Sequence, residues 1–272
     1  MTTASNSGYA RVNGLELYYE SQGAGEPLIL LHGGLGALEM FSDLIPLLAP
    51  MRQVIVVDLQ GHGRTADIDR PFSFDSMADD VVELMTHLGM GSADVMGYSL
   101  GGGVALRAAV RHPDSVRKLV LLSIAFKTDG WYPANLAGRE QFNKDAAEAL
   151  LDTPFYQLYA SIAPRPADWP VLVAKMGELA QQPYDWSKDV AALTTPTLLV
   201  FGDADSVRPA HAVEFFELLG GGKRDGGWDG SGVSSSQIAI FPGVTHYNVF
   251  SSPGLPRAVT FFLDTHRPTP AR

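Results

Sequence analysis

There is no cysteine in this 272-residue chain. Disulfide staples, thiolate metal sites and a cysteine nucleophile are therefore excluded. A chain of this length buries most of the surface that its unfolded form exposes, so it needs no staples to fold. Charge is sparse and one-sided. Charged residues make up 18% of the chain, with 20 Lys and Arg against 30 Asp and Glu, for a formal net charge of −10. An acidic surface repels phosphates, which argues against nucleic acid and anionic lipid as partners. No apolar run approaches the ~20 residues of a membrane helix. The opening MTTASNSGYARVNG has no apolar segment of the signal-peptide kind. The expectation is a cytoplasmic protein with a small-molecule partner, and self-association is left open. The H-E-x-x-H and Walker patterns are also missing: Gly222-Lys223 is followed by Arg224, not Ser or Thr. There are no internal repeats.

What is there is an alternation of buried strands and amphipathic helices. Hydrophobic residues make up 46% of the chain, as in an ordinary globular enzyme. Asn13-Gly14, flanked by Val12 and Leu15, predicts a two-residue hairpin. Pro27 to Leu31 and Gln53 to Val57 are continuous apolar runs, the pattern of strands buried on both faces. Phe74, Met77, Ala78, Val81, Val82, Met85 and Leu88 then fall on one helical face, and Gly89 ends it. A strand (Ala93 to Met96), a small-residue helix ended by Pro113 and another strand (Lys118 to Ile124) follow. Such alternation predicts βαβ units and a mostly parallel sheet. The rhythm breaks between about Phe126 and Leu193, a stretch rich in Trp and Pro that reads as a helical insertion. It resumes with a strand from Thr197 to Phe201 and a helix near Ala210 to Leu219. A strand from Gln237 to Phe241 and a helix from Pro256 to Asp264 close the chain. The glycine-rich stretch Gly220 to Gly232 offers only Asp225 and Asp229, too few carboxylates for a calcium loop. It is read as a helix-to-strand connection.

Chemistry enters at Gly97-Tyr98-Ser99-Leu100-Gly101, a G-x-S-x-G pattern between a buried strand and a helix. In that setting a sharp turn strains the serine backbone and projects its hydroxyl as a nucleophile. Serine needs a base, and the base needs an orienting acid. Of seven histidines, His246 follows the last strand, on the C-terminal edge where parallel sheets place their sites. His32 and His62 share that edge, but in glycine turns that suit a structural hydrogen bond. His87, His112 and His211 fall on helices or helix ends and are expected at the surface or as caps, and His266 lies in the tail. Asp203 and Asp205 both follow the penultimate strand, and either could serve as the acid. The end of the preceding strand reads Ser123-Ile124-Ala125, with no carboxylate.

Together, His32-Gly33-Gly34, Asp58 through Gly63, Gly97 through Gly102, Gly202-Asp203-Ala204-Asp205 and Gly243-Val244-Thr245-His246 resemble the α/β-hydrolase superfamily over nearly the whole chain. The resemblance implies an α/β-hydrolase core formed by residues 1–125 and 194–272, with 126–193 as a helical cap over the site. It selects Asp205 as the acid, the last residue of a Gly-x-x-Asp motif. It also implies an oxyanion hole from the backbone N–H groups of Leu100 and Gly34, with Leu35 as the substitute for the second donor. The expected activity is hydrolysis of carboxylic esters through an acyl-enzyme, with no metal or organic cofactor.

Family members that are epoxide hydrolases or haloalkane dehalogenases use an aspartate nucleophile, so Ser99 argues against both. The carbon–carbon bond hydrolases carry Asn before the serine and Trp after the histidine, where this chain has Tyr98 and Tyr247. Lactonase and cofactor-free perhydrolase activities would use the same three residues and stay open. A hydroxynitrile-lyase-type activity or a non-catalytic receptor on this fold is a weaker reading. Among the aromatic residues, Tyr98, Trp131, Trp186 and Tyr247 are the candidates to line a pocket. The modest length of the insertion suggests small or aromatic esters rather than long-chain lipids.

Overall fold

The computed structural model describes residues 5–139 and 141–265. The chain begins with a hairpin of β1 (Ser5–Val12) and β2 (Leu15–Gln22). Asn13 and Gly14 form its turn at φ 48° and 86°, the left-handed pair that a two-residue hairpin needs. β3 (Glu26–Leu31), α1 (Ile45–Leu48), β4 (Arg52–Val57) and α2 (Phe74–His87) follow. Then come β5 (Ala93–Tyr98), α3 (Leu100–Arg111) and β6 (Val116–Leu122). The segment after β6 carries α4 (Pro133–Arg139), α5 (Ala146–Ala149), α6 (Pro154–Ile162), α7 (Trp169–Gln181) and α8 (Ser187–Ala192). β7 (Thr197–Ala204), α9 (Pro209–Leu218), β8 (Gln237–Thr245) and α10 (Leu255–Asp264) complete the fold.

The strands form one sheet in the order β1-β2-β4-β3-β5-β6-β7-β8. Pairing is antiparallel from β1 through β2 to β4 and parallel from there to β8. The apolar runs are continuous because both faces are covered. Ile29, Leu31, Ile55 and Val57 pack with Val81 and Leu84 of α2, Ala105 and Ala108 of α3 and Phe215 of α9. The alternate residues Leu28, Leu30, Val54 and Val56 pack with Leu48 of α1 and with Val259 and Phe262 of α10. Each such buried aliphatic side chain contributes roughly 1.5–3 kcal/mol of transfer free energy. Side chains are thus spent on both faces, and the loops at the C-terminal edge of the sheet are left to carry chemistry.

The helical segment is fastened to the core by charged groups. Lys175 on α7 donates to Asp67 Oδ2 at 2.6 Å and to the carbonyls of Ile68 and Arg70, each at 2.9 Å. Arg107 on α3 bridges Asp75 of α2 and Asp189 of α8. Some aromatic side chains of the segment pack among themselves. Trp169 is buried against Tyr156 and Tyr159, and its indole N–H donates to the Ala147 carbonyl. In the glycine-rich stretch, Asp225 and Asp229 accept from the N–H groups of Gly227 and Ser231 and so cap their own turns. Among the described residues no helix is long and apolar enough to cross a membrane.

Candidate active site

Ser99 joins β5 to α3 in a single residue. Its backbone sits at φ 52°, ψ −112°, a strained conformation for a residue with a side chain. The turn is possible because glycine stands on both sides. A Cβ on Gly97 would lie 2.1 Å from the Gly101 carbonyl oxygen, and one on Gly101 would lie 2.2 Å from that of Leu31. Leu100 supplies the first N–H of α3, which has no acceptor inside its own helix. The His32-Gly33-Gly34 turn runs alongside: a Cβ on Gly33 would be 3.5 Å from the Ser99 Cβ. Gly34 and Leu35 occupy the bend closed by the Gly36 N–H on the Gly33 carbonyl at 3.2 Å.

His246 follows β8 and Asp205 follows β7, so three strand ends bring together residues 41 and 147 positions apart. The Ser99 hydroxyl lies 3.1 Å from His246 Nε2, and His246 Nδ1 lies 3.0 Å from Asp205 Oδ1. A carboxylate can only accept, so the imidazole proton sits on Nδ1 and Nε2 presents its lone pair to the serine. Asp205 is buried, and burial by itself would raise its carboxyl. Hydrogen bonds from His246, Ser123 and the Val207 N–H, with the attraction of His246, outweigh that and hold it below the usual carboxylate range. Asp203 is exposed and accepts from the Gly243 N–H at 2.7 Å, which ties the ends of β7 and β8 together.

The other sequence candidates separate. Trp131 stands edge-on to the His246 ring, 5.6 Å between centroids. Tyr247 also meets that ring at 5.5 Å and is 69% exposed, so it lies at the rim. Tyr98 is buried, and its hydroxyl donates to the His246 carbonyl at 2.8 Å. Trp186 lines a cavity with Ser73, Phe74, Leu179 and Tyr184. It packs on Phe74, Tyr184 and the Arg107 guanidinium, at the seam between helical segment and core. His211, expected at the surface or as a cap, is buried. Its Nε2 accepts from the Phe126 N–H at 3.2 Å and its ring stacks on Phe126. Helical position alone did not reveal that α9 turns this residue inward.

His32 and His62 are spent on backbone. His32 Nδ1 donates to the Gly33 carbonyl at 2.7 Å and Nε2 accepts from the Leu59 N–H at 3.1 Å, which shapes the turn beside Ser99. His62 Nδ1 donates to the Gln60 carbonyl at 2.8 Å. Burial lowers the two imidazoles to about 4 and about 3. His112 bonds Asp79 at 2.7 Å, His87 is exposed, and His266 lies outside the described residues.

Two residues in contact with the site escaped the sequence reading. Met176 of α7 hangs over Gly34, where an added Cβ would meet its terminal methyl at 2.5 Å. Ser123, at the end of β6, donates its hydroxyl to Asp205 Oδ2. The first is one apolar residue in an amphipathic helix, and the second is a serine after a strand; neither carries a local signal.

A family model described as alpha/beta hydrolase fold matches residues 26–166. A non-heme haloperoxidase of Rhodococcus erythropolis is 28% identical over 86% of this chain and 90% of its own length. A pimeloyl-[acyl-carrier protein] methyl ester esterase of Neisseria meningitidis is 34% identical over 68% of this chain and 77% of its own. Among solved structures, a thermophilic esterase from Thermogutta terrifontis superposes with a TM-score of 0.72 at 23% identity, covering 97% of this chain and 98% of the other.

Proposed function

Given that the chain belongs to the alpha/beta hydrolase fold family, we propose that it is a serine hydrolase of carboxylic esters, with Ser99, His246 and Asp205 as its catalytic residues. The observation that carries this reading is the unbroken hydrogen-bond chain from the Ser99 hydroxyl through His246 to a carboxylate held ionised. In the reaction, Ser99 Oγ attacks the ester carbonyl carbon while His246 Nε2 takes its proton. Asp205 fixes the imidazole tautomer and stabilises the imidazolium. The N–H groups of Leu100 and Gly34 receive the oxyanion, Leu35 being the substitute for the second. One such donor is worth about 10²–10³ in rate. His246 returns its proton to the alkoxide, the alcohol leaves, and water repeats the sequence on the acyl-enzyme.

Trp131 beside His246 and Met176 over Gly34 favour small or flat acyl groups in the space between them. A second reading, perhydrolysis with hydrogen peroxide in place of water, draws on the likeness to the haloperoxidase over most of the chain. Both readings pass through the same acyl-enzyme. Turnover of p-nitrophenyl acetate by the wild type and by Ser99→Ala tests them together. The expected loss is at least about 10⁴-fold in kcat, since removal of a triad serine costs up to about 10⁶-fold. Equal turnover by the two proteins would contradict the proposal.

A further inference from the structure

Ser123 directly follows β6, the strand between the one that delivers Ser99 and the one that delivers Asp205. It is fully buried, and its N–H is committed to the Val200 carbonyl of β7 at 2.9 Å. Its backbone lies at φ 52°, the same left-handed value as Ser99. A glycine would adopt that conformation freely, and a serine there is strained. Strain that persists at a buried, non-glycine position points to a use for the side chain. The side chain has one visible use: its hydroxyl donates to Asp205 Oδ2.

The carboxylate it meets is divided between two tasks. Oδ1 faces His246 Nδ1 and accepts the Val207 N–H at 3.1 Å. Oδ2 takes the Ser123 hydroxyl and the Gly202 N–H at 3.3 Å. The two donors to Oδ2 therefore set the rotation of the carboxylate about its Cβ–Cγ bond. That rotation decides whether Oδ1 points at the imidazole. Of the two, the Gly202 contact is long for a hydrogen bond, and the hydroxyl is the closer partner.

We propose that Ser123 is a positioning residue for the proposed hydrolysis, acting through Asp205: its hydroxyl locks the carboxylate so that Oδ1 orients His246 toward Ser99. This rests on the triad reading above. It touches neither substrate nor reacting atoms, so its removal lowers kcat and leaves KM alone. A charge-assisted hydrogen bond of this kind corresponds to a loss of about 10- to 100-fold.

Glycine separates the hydroxyl from the backbone. Ser123→Gly relieves the left-handed strain while deleting the donor; Ser123→Ala deletes the donor and keeps the strain. Both are measured with p-nitrophenyl acetate, alongside thermal unfolding, in the wild-type and Asp205→Ala backgrounds. Weak variants are compared by the rate at which a fluorophosphonate labels Ser99. The expected result is a matching fall in kcat for both variants, with KM within about twofold and Ser123→Gly unfolding no earlier than Ser123→Ala. In the Asp205→Ala background Ser123→Gly should change the labelling rate by less than about twofold, because coupled residues do not add. A Ser123→Gly enzyme with wild-type kcat, or equal losses in the two backgrounds, overturns the proposal and leaves the triad reading standing. A fully active Asp205→Ala enzyme overturns the triad reading and this proposal with it.

Discussion

The strand-end loops and the helical segment over them are held by different physics. At the strand ends, residues far apart in sequence are fixed by directional hydrogen bonds: Ser99 to His246, His246 to Asp205, Asp205 to Ser123. The helical segment packs Trp169, Leu172, Val173 and Val190 into the same apolar cluster as one face of the sheet and is fastened besides by the side chains of Lys175 and Arg107. Its reach into the site is limited to apolar and aromatic contacts, from Met176 and Trp131. On the function proposed above, the strand ends would hold the reaction and the segment would shape what is admitted to it.

Substitutions should separate the two regions by size and kind of effect. The largest contrast lies within the strand ends. Asp205→Asn should lower kcat by about 10⁴-fold, since an amide supports the wrong imidazole tautomer. Asp203→Asn, two residues away, trades only the bond to the Gly243 N–H and should cost less than about tenfold. Steady-state kinetics of the pair decide it, and equal losses would remove Asp205 from its assigned role.

An intermediate effect is expected from the segment. Met176→Ala opens space above Gly34 and should move acyl preference toward longer chains by about tenfold in kcat/KM, with p-nitrophenyl acetate little affected. A chain-length series of p-nitrophenyl esters measures this. An unchanged preference would mean that the methionine does not bound the acyl space.

The smallest effect concerns stability. His32 and His62 are lowered to about 4 and about 3 from an ordinary 6.5. As pH falls below 6.5 the unfolded chain takes up protons that the folded one refuses. The contribution of these two groups to stability is therefore full above about 6.5 and is lost as pH falls toward the folded values. His62→Phe, which keeps a ring against Phe72, should flatten the fall of Tm between pH 7 and 4 by a few degrees. An unchanged slope would assign the acid sensitivity elsewhere.

The same division explains what could be read in advance. Hydrophobic period and glycine placement are local, so the Asn13-Gly14 hairpin, the doubly buried strands and the turn at Ser99 were legible residue by residue. The choice between Asp203 and Asp205 was not; it came from resemblance to a family, and the two side chains are told apart only by where each points. Ser123 meets its partner 82 residues away, and Met176 meets Gly34 across the gap between segment and core. Aromatic character marks Tyr98 and Trp186 as candidates to line a pocket but says nothing of their partners. In the fold Tyr98 bonds the His246 carbonyl, and Trp186 packs on a cation and two rings at the seam.

The central claim is that Ser99 is an activated nucleophile. Reaction of the protein with a fluorophosphonate, followed by peptide mapping, measures this directly. The predicted result is one equivalent of label on Ser99, lost in Ser99→Ala and strongly slowed in Asp205→Asn. Label on another residue, or none on a folded protein, would contradict it.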